Sequence, residues 1–155
     1  GFQTNLKFGE QKRVFGMIPG LEHAEFVRYG VMHRNTFLPP NLLNFDYQMR
    51  RVPGLFFAGQ ITGVEGYVES ASSGLTAAIG MERYLNGEAP LDFSMQTAIG
   101  ALGHYVSDYN GSDFQPMNVN FGLMDPLKER VRSKRERYGR IAERALKIVK
   151  ELQTN

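Results

Sequence analysis

The chain has 155 residues, 42% hydrophobic and 22% charged, with a formal net charge of +2, an ordinary globular composition that fits one domain. It has no cysteine, which excludes disulfides, thiolate metal sites and cysteine nucleophiles within these residues. No apolar run approaches the roughly 18 residues that a membrane-spanning helix needs, so no membrane partner is expected.

The opening "GFQTNLKFGEQKR" carries neither an initiator methionine nor an apolar leader core. It reads equally as a piece of a longer protein and as a processed or tagged start. "LKFGEQKRVFGMI" suits a short helix that "PGLEH" ends. "AEFVRYGVMHRNTFL" is rich in β-formers, with Gly30 as a bend, and predicts a strand stopped by "PPN". "FDYQMRR" is a candidate short strand and Pro53-Gly54 a turn. "LFFAG" is a continuous apolar run, which suits a strand buried on both faces, as in a parallel sheet.

From Tyr67 to Leu85 the pattern turns helical, with Ala71, Leu75, Ala78, Ile79 and Met81 at helical spacing and Asn86-Gly87 as the stop. Ser94 is the expected cap of a helix from about Met95 to Tyr105, and "SDYNGSDFQPMNVNFG" reads as a loop. Asp125 and Pro126 then predict the start of one long amphipathic helix. Its apolar lines are Leu127, Ile141, Ile148 and Val131, Tyr138, Ala145, Leu152, with Gly139 weakening the middle.

Charge is unevenly spread. Residues 1–125 hold 8 basic and 12 acidic residues, net −4; residues 126–155 hold 10 and 4, net +6. Such a helix suits a nucleic-acid backbone, with Arg132, Arg135 and Arg140 as candidates, or is simply a solvated face with pairs such as Glu129–Arg132 and Glu136–Arg140. His23 and His104 have no partners at metal-ligand spacing, so no metal site is read.

"LFFAGQITGVEGYVESASSGL" is the most informative stretch. A strand, a glycine turn and a helix start make an anion-accepting site, because first-turn N–H groups lack intrahelical partners and the helix dipole is positive there. Gly59, Gly63 and Gly66 would let a flat ring or polyphosphate approach the backbone. The spacing matches neither a dinucleotide fingerprint nor a phosphate-binding loop with its lysine, so a purely structural turn remains open.

The same stretch, continued as "TAAIG", resembles the flavin-contacting segment of the glucose-inhibited division protein A family. "GEQKRVFGMIPGLEHAEFVRYGVMHRNTF" and "FQPMNVNFGL" resemble that family's branch of folate- and FAD-dependent tRNA (uracil-5-)-methyltransferases. The resemblance covers Phe2 to about Leu123 and fades over the basic tail.

That resemblance implies a C-terminal fragment of a longer cytoplasmic enzyme, lacking the N-terminal Rossmann fingerprint and the cysteines that its chemistry uses. The implied fold is α/β, part of a Rossmann-like FAD-binding domain with a short β segment and a C-terminal helical region. Residues 1–50 would form a helix plus β segment, 51–87 the strand–loop–helix, and 88–155 the helical region. FAD would be held by Gly59, Gln60, Gly63, Val64, Glu65, Gly66 and Tyr67, towards its ring end, since Glu65 and Glu69 would repel phosphate.

Tyr67 is also the one catalytic candidate, as a ring-stacking or hydroxyl-donating group, although a core or surface tyrosine fits the pattern too. His33, Arg34, Asn35 and Glu69 are candidate folate-side residues, with an ordinary strand-end salt bridge as the alternative for the first three. Methylenetetrahydrofolate and NAD(P)H would be co-substrates, and tRNA and the N-terminal part of the same polypeptide the partners. A sister enzyme modifying wobble uridines, or a non-enzymatic RNA- or partner-binding module, are the other readings. Gly66→Val is expected to cost flavin more than fold.

Overall fold

The structure is a computed structural model and describes residues 3–30 and 36–153. It is mostly helical, and the chain divides into two units, Gly1–Asn35 and Thr36–Asn155.

In the first unit, α1 spans Phe8–Phe15 and ends at Gly16, inside the helix expected there. Gln11 is 1% exposed. Its side-chain amide donates to the carbonyls of Leu6 (2.7 Å) and Gly30 (2.8 Å), and its oxygen accepts from Gly30 N–H (2.9 Å). A buried amide must find such partners or lose its hydration without return. Phe8 stacks on Tyr29, and Phe26 on both Tyr29 and Phe15. No strand forms over residues 24–30. Phe26 and Tyr29 join an aromatic stack with the rings of α1, while Val27 stands 99% exposed, so the alternation that a strand would need is lost. Residues 31–35 lie outside the described residues.

In the second unit α2 spans Tyr67–Leu85, α3 Ala98–Ser107 and α4 Lys134–Leu152. Leu43, Tyr47, Val64, Ala77, Leu102, Val106 and Phe114 form the main core. A second cluster of Ala101, Met124 and Ile141 packs with Leu127, Tyr138 and Ala145, so α3 serves both. The end of α2 is as expected: Glu88 N–H bonds to Arg83 O (2.9 Å) and Gly87 N–H to Tyr84 O (3.1 Å), which closes the last turn of the helix.

The strand expectations need correction. Among the described residues there is no sheet, only isolated bridges at Leu43–Met49, Gln48–Phe56 and Val64–Met117. "FDYQMRR" folds as a turn with bridges at its edges. "LFFAG" is extended, but only one edge is used: Met49 N–H bonds to Leu55 O (2.8 Å) and Phe57 N–H to Tyr47 O (3.1 Å). Phe56 N–H and C=O, on the other edge, meet no hydrogen-bond partner among the described residues. An extended segment becomes a sheet strand only when a ladder runs beside it.

Two helix starts also differ. Ser94 has φ 64° and sits in a turn, and the cap of α3 is Thr97, whose Oγ1 accepts from Gly100 N–H at 3.0 Å. The C-terminal helix begins nine residues later than Asp125, at Lys134, with Ser133 Oγ accepting from Glu136 N–H at 3.4 Å. Arg140 pairs with Glu129 at 3.0 Å. In one continuous helix those residues would lie about 16 Å apart along the axis. Arg144 instead draws the Asp125 and Pro126 carbonyls back alongside α4, at 2.5 and 3.1 Å.

Candidate functional site

The glycine loop is built from backbone needs. Ala58 is extended (φ −149°, ψ 156°), Gly59–Thr62 make one tight turn, and Gly63 is left-handed (φ 93°). Gly66, at φ 97° and ψ 151°, precedes the first residue of α2. Gly59 also has a positive φ, 77°, and residues with a side chain rarely adopt the conformations of these three glycines. A Cβ on Gly63 would lie 2.5 Å from the Phe114 ring, whereas one on Gly59 would meet nothing within 4 Å. Gly63 is therefore closed by packing, and Gly59 is open.

Side chains then lock the loop. Gly59 N–H donates to Ser73 Oγ (2.7 Å), and Ser73 Oγ–H donates to Ser70 O (2.8 Å). Thr62, fully buried, donates to Gly59 O at 2.8 Å. From the far side, Glu65 N–H donates to Met117 O at 3.0 Å, and Asn118 Nδ2 donates to Glu65 O at 3.1 Å. Glu69 Oε1 accepts from Val119 N–H at 3.2 Å. Residues 117–119 are the part of the site that sequence reasoning does not reveal. They stand inside "FQPMNVNFG", whose polar composition announces a loop but not what the loop grips.

The start of α2 has no side-chain cap, so its first N–H groups face outward unpaired among the described residues. Tyr67 is 96% exposed and Val68 79%. Gln60 is exposed and Glu65 half-buried, while Val64 is fully buried in the core. Gly66 and Tyr67 thus stand at the start of α2, Gly59 meets the helix further along at Ser73, and Gly63 and Val64 are buried. Glu69 is beside them but engaged with Val119. His33, Arg34 and Asn35 lie outside the described residues.

Gly66→Val does not isolate flavin binding. A Cβ there would collide with Glu69 Oε2, and would stand 2.5 Å from Asn118 Nδ2. Both side chains could swing away only by losing their backbone bonds. The substitution would therefore cost the fold as well.

α2 also turns a different face inward from the one its apolar spacing suggests. Ser73, Thr76, Ala77 and Gly80 are buried, because small residues let the helix lie against Phe56 and Ala58. Leu75 is 54% exposed, Met81 41% and Leu85 77%.

The three arginines proposed for RNA separate as well. Arg140 is held by Glu129 (3.0 Å) and Glu136 (2.8 Å), while Arg132 and Arg135 are exposed. Elsewhere, His104 lies between Asp92 (3.1 Å) and Asp108 (3.0 Å) and stacks on Phe45. Burial alone would lower its pKa, but the hydrogen bonds and charges of the two carboxylates outweigh this and raise it. Among the described residues no group of three or more possible ligands is placed to hold a metal.

A family model described as glucose inhibited division protein A matches residues 1–89, which takes in the whole loop and α2. The chain belongs to the glucose inhibited division protein A family. Its relatives include a Streptococcus agalactiae serotype Ia protein named methylenetetrahydrofolate–tRNA-(uracil-5-)-methyltransferase TrmFO, 63% identical over 149 residues. That match covers 95% of this chain and 34% of the relative. A protein of the same name from Enterococcus faecalis is 60% identical over 149 residues, covering 96% and 34%. The chain therefore spans about a third of the length of these curated relatives. Among solved structures, GidA of Aquifex aeolicus matches with a TM-score of 0.50 at 28% identity, over 68% of this chain and 18% of that one.

Proposed function

We propose that this chain is the C-terminal part of a cytoplasmic flavoenzyme that methylates carbon-5 of a T-loop uridine of tRNA. The methylene donor is methylenetetrahydrofolate, FAD carries the reducing equivalents and NAD(P)H supplies them. The reading rests on the names of relatives about 60% identical over nearly the whole chain, together with the open backbone at Gly59. FAD suits the loop for three physical reasons. Gly59 offers backbone approachable without a side chain, the first N–H groups of α2 are free to bind an acceptor, and Gln60 is exposed and both donates and accepts.

On this reading Gly59, Gln60, Gly66 and Tyr67 would line the flavin, with Gly63 and Val64 fixing the turn from below. FAD would supply the redox chemistry, and these residues would hold and orient it. Glu65 and Glu69 disfavour a phosphate there, so the pyrophosphate belongs to another part of the longer polypeptide. Tyr67 is the catalytic candidate, and His33, Arg34 and Asn35 the folate-side candidates.

The Rossmann-like form also belongs to the proposal. The unused edge of Phe56 and the exposed apolar pair Val68 and Leu75, seven residues apart on one face of α2, suit a neighbouring strand and covering layer from the remainder of the longer protein. The test is methyl transfer by the full-length protein. Label from methylenetetrahydrofolate should enter tRNA only when FAD and NAD(P)H are present. Label that stays out of tRNA with FAD and NAD(P)H present, or a tRNA methyl group formed from another donor in the absence of folate, would overturn the assignment, and a carboxymethylaminomethyl product would point to the sister enzyme.

A further inference from the structure

The polar loop and the basic helix meet at a pair of aromatic rings. Phe121 and Tyr138 stack at 4.2 Å between centroids with only 10° between their planes. Phe121 sits on a turn held by Leu123 N–H to Asn120 O (3.1 Å) and Gly122 N–H to Asn120 Oδ1 (2.9 Å). Despite the stack it is 39% exposed. Lys134 Nζ and the Arg137 guanidinium lie 5.5 and 5.4 Å from the centre of the Tyr138 ring. Tyr138 alone, on the apolar line of the helix, offers no interleaved aromatic surface; Phe121 supplies what the helix sequence lacks.

Two hollows adjoin the pair, of about 420 and 530 Å³, and both are lined by Phe121, Gly122, Met124 and Tyr138. The second also reaches Arg130 and Arg137. The cations here are not neutralised. Glu129 and Glu136, the nearby acids, are both engaged by Arg140, and among the described residues neither Lys134 nor Arg137 pairs with a carboxylate.

We infer that Phe121 and Tyr138, flanked by Lys134 and Arg137, form a docking platform for an unstacked base of the tRNA and its neighbouring phosphates. Flat aromatic surface with free cations beside it is the arrangement that binds single-stranded nucleic acid, where stacking on a ring is tolerant of sequence and cations track the backbone. An acidic protein segment would use the cations but would leave the aromatic surface unused. The inference rests on the tRNA reading above. It moves the RNA contact from Arg132, Arg135 and Arg140 to a cluster in which a loop and a helix meet.

The experiment measures binding of the full-length protein to unmodified tRNA across a salt series. Phe121→Leu keeps apolar packing but removes the ring. It should weaken binding between about fivefold and a hundredfold with the salt slope unchanged. Lys134→Gln with Arg137→Gln should flatten the slope of log affinity against log salt by roughly 0.7–0.9 for each phosphate that is no longer neutralised.

A second measurement separates stacking from support of the fold. The wild-type protein should bind single-stranded oligouridine more tightly than an abasic oligomer of equal length, and Phe121→Leu should abolish that preference. Absence of the preference in the wild type, or polyglutamate displacing tRNA as well as oligouridine does, would overturn the platform. Wild-type affinity and slope in both variants would overturn it while leaving the tRNA reading standing. Failure of the wild-type protein to bind tRNA would remove both.

Discussion

The glycine loop and the C-terminal segment are held by different means. The loop, residues 59–66, is fixed by backbone hydrogen bonds, buried hydroxyls and the packing of Phe114. The segment from Asp125 to Leu152 packs Leu127, Tyr138, Ile141 and Ala145 on Met124, and charged side chains tie its fold-back: exposed Arg140 across Glu129 and Glu136, and half-buried Arg144 on the carbonyls of Asp125 and Pro126. The first arrangement leaves no room for added atoms at Gly63 and Gly66. The second depends on charge: the exposed Arg140 pairs contribute little and are screened by salt, whereas the half-buried Arg144 is screened less. A rigid backbone site suits a flat ligand that must be placed accurately. An adjustable charged surface suits an extended polyanion.

The largest test of this contrast is Gly63→Val. Left-handed strain and collision with the Phe114 ring act together, and the cost should be about 2–5 kcal/mol in chemical denaturation. A loss below about 1 kcal/mol would mean that the ring yields freely and that the loop is not locked.

Next is Arg144→Met. It keeps much of the aliphatic stem but removes two charged hydrogen bonds to backbone carbonyls, and should cost about 1.5–3 kcal/mol. Residues 125–131 should then exchange their amide hydrogens faster than those of α2. Unchanged protection there would mean that Leu127 and Met124 alone hold the fold-back.

The smallest effect is His104→Gln, and it depends on pH. The His104 pKa is raised above its ordinary 6.5 in the folded chain. Its stabilisation is therefore complete below about pH 6.5 and is lost as pH rises through the folded value. Asp108 is shifted the other way. Burial would raise its pKa, but the hydrogen bonds from Ser107 and His104 and the positive charges of His104 and Arg50 lower it from 3.8. Its contribution holds above that ordinary value and disappears as pH falls through the lowered one. The melting gap between wild type and His104→Gln should thus be widest between about pH 4.5 and 6.5 and narrow above it. A gap that widens with rising pH would refute the ion-pair reading.

The same contrast explains what is legible in the sequence. α2 begins at Tyr67 and ends at Leu85 as expected, because Gly66 and Asn86-Gly87 are local instructions carried by backbone conformation. The start of the C-terminal helix is not legible from Asp125-Pro126, since two distant contacts, Arg140 to Glu129 and Arg144 to Asp125 and Pro126, override a good local start. Ser133 and Glu136 do carry the spacing of a capping box, masked by the stronger Asp-Pro signal upstream. "LFFAG" is apolar and extended as expected, but strand identity resides in a neighbour that the segment does not contain. The inward face of α2 escapes its apolar spacing because close approach to Phe56 and Ala58 selects small residues over large apolar ones. Phe121 cannot be paired with Tyr138 from sequence, 17 residues apart with an irregular segment between.

The open backbone at Gly59 is the feature on which the flavin reading depends most. Gly59→Ala adds a methyl group that meets nothing within 4 Å in this chain, and left-handed strain should cost only about 1–2 kcal/mol of stability. The decisive measurement is FAD bound per full-length protein, read from the visible spectrum beside a thermal melt of the flavin-free form. The account predicts that Gly59→Ala binds FAD at least about tenfold more weakly, because the methyl group stands where the ring must approach, while the melt stays close to wild type. Full flavin occupancy with wild-type affinity would contradict it and leave the glycine loop as a turn alone.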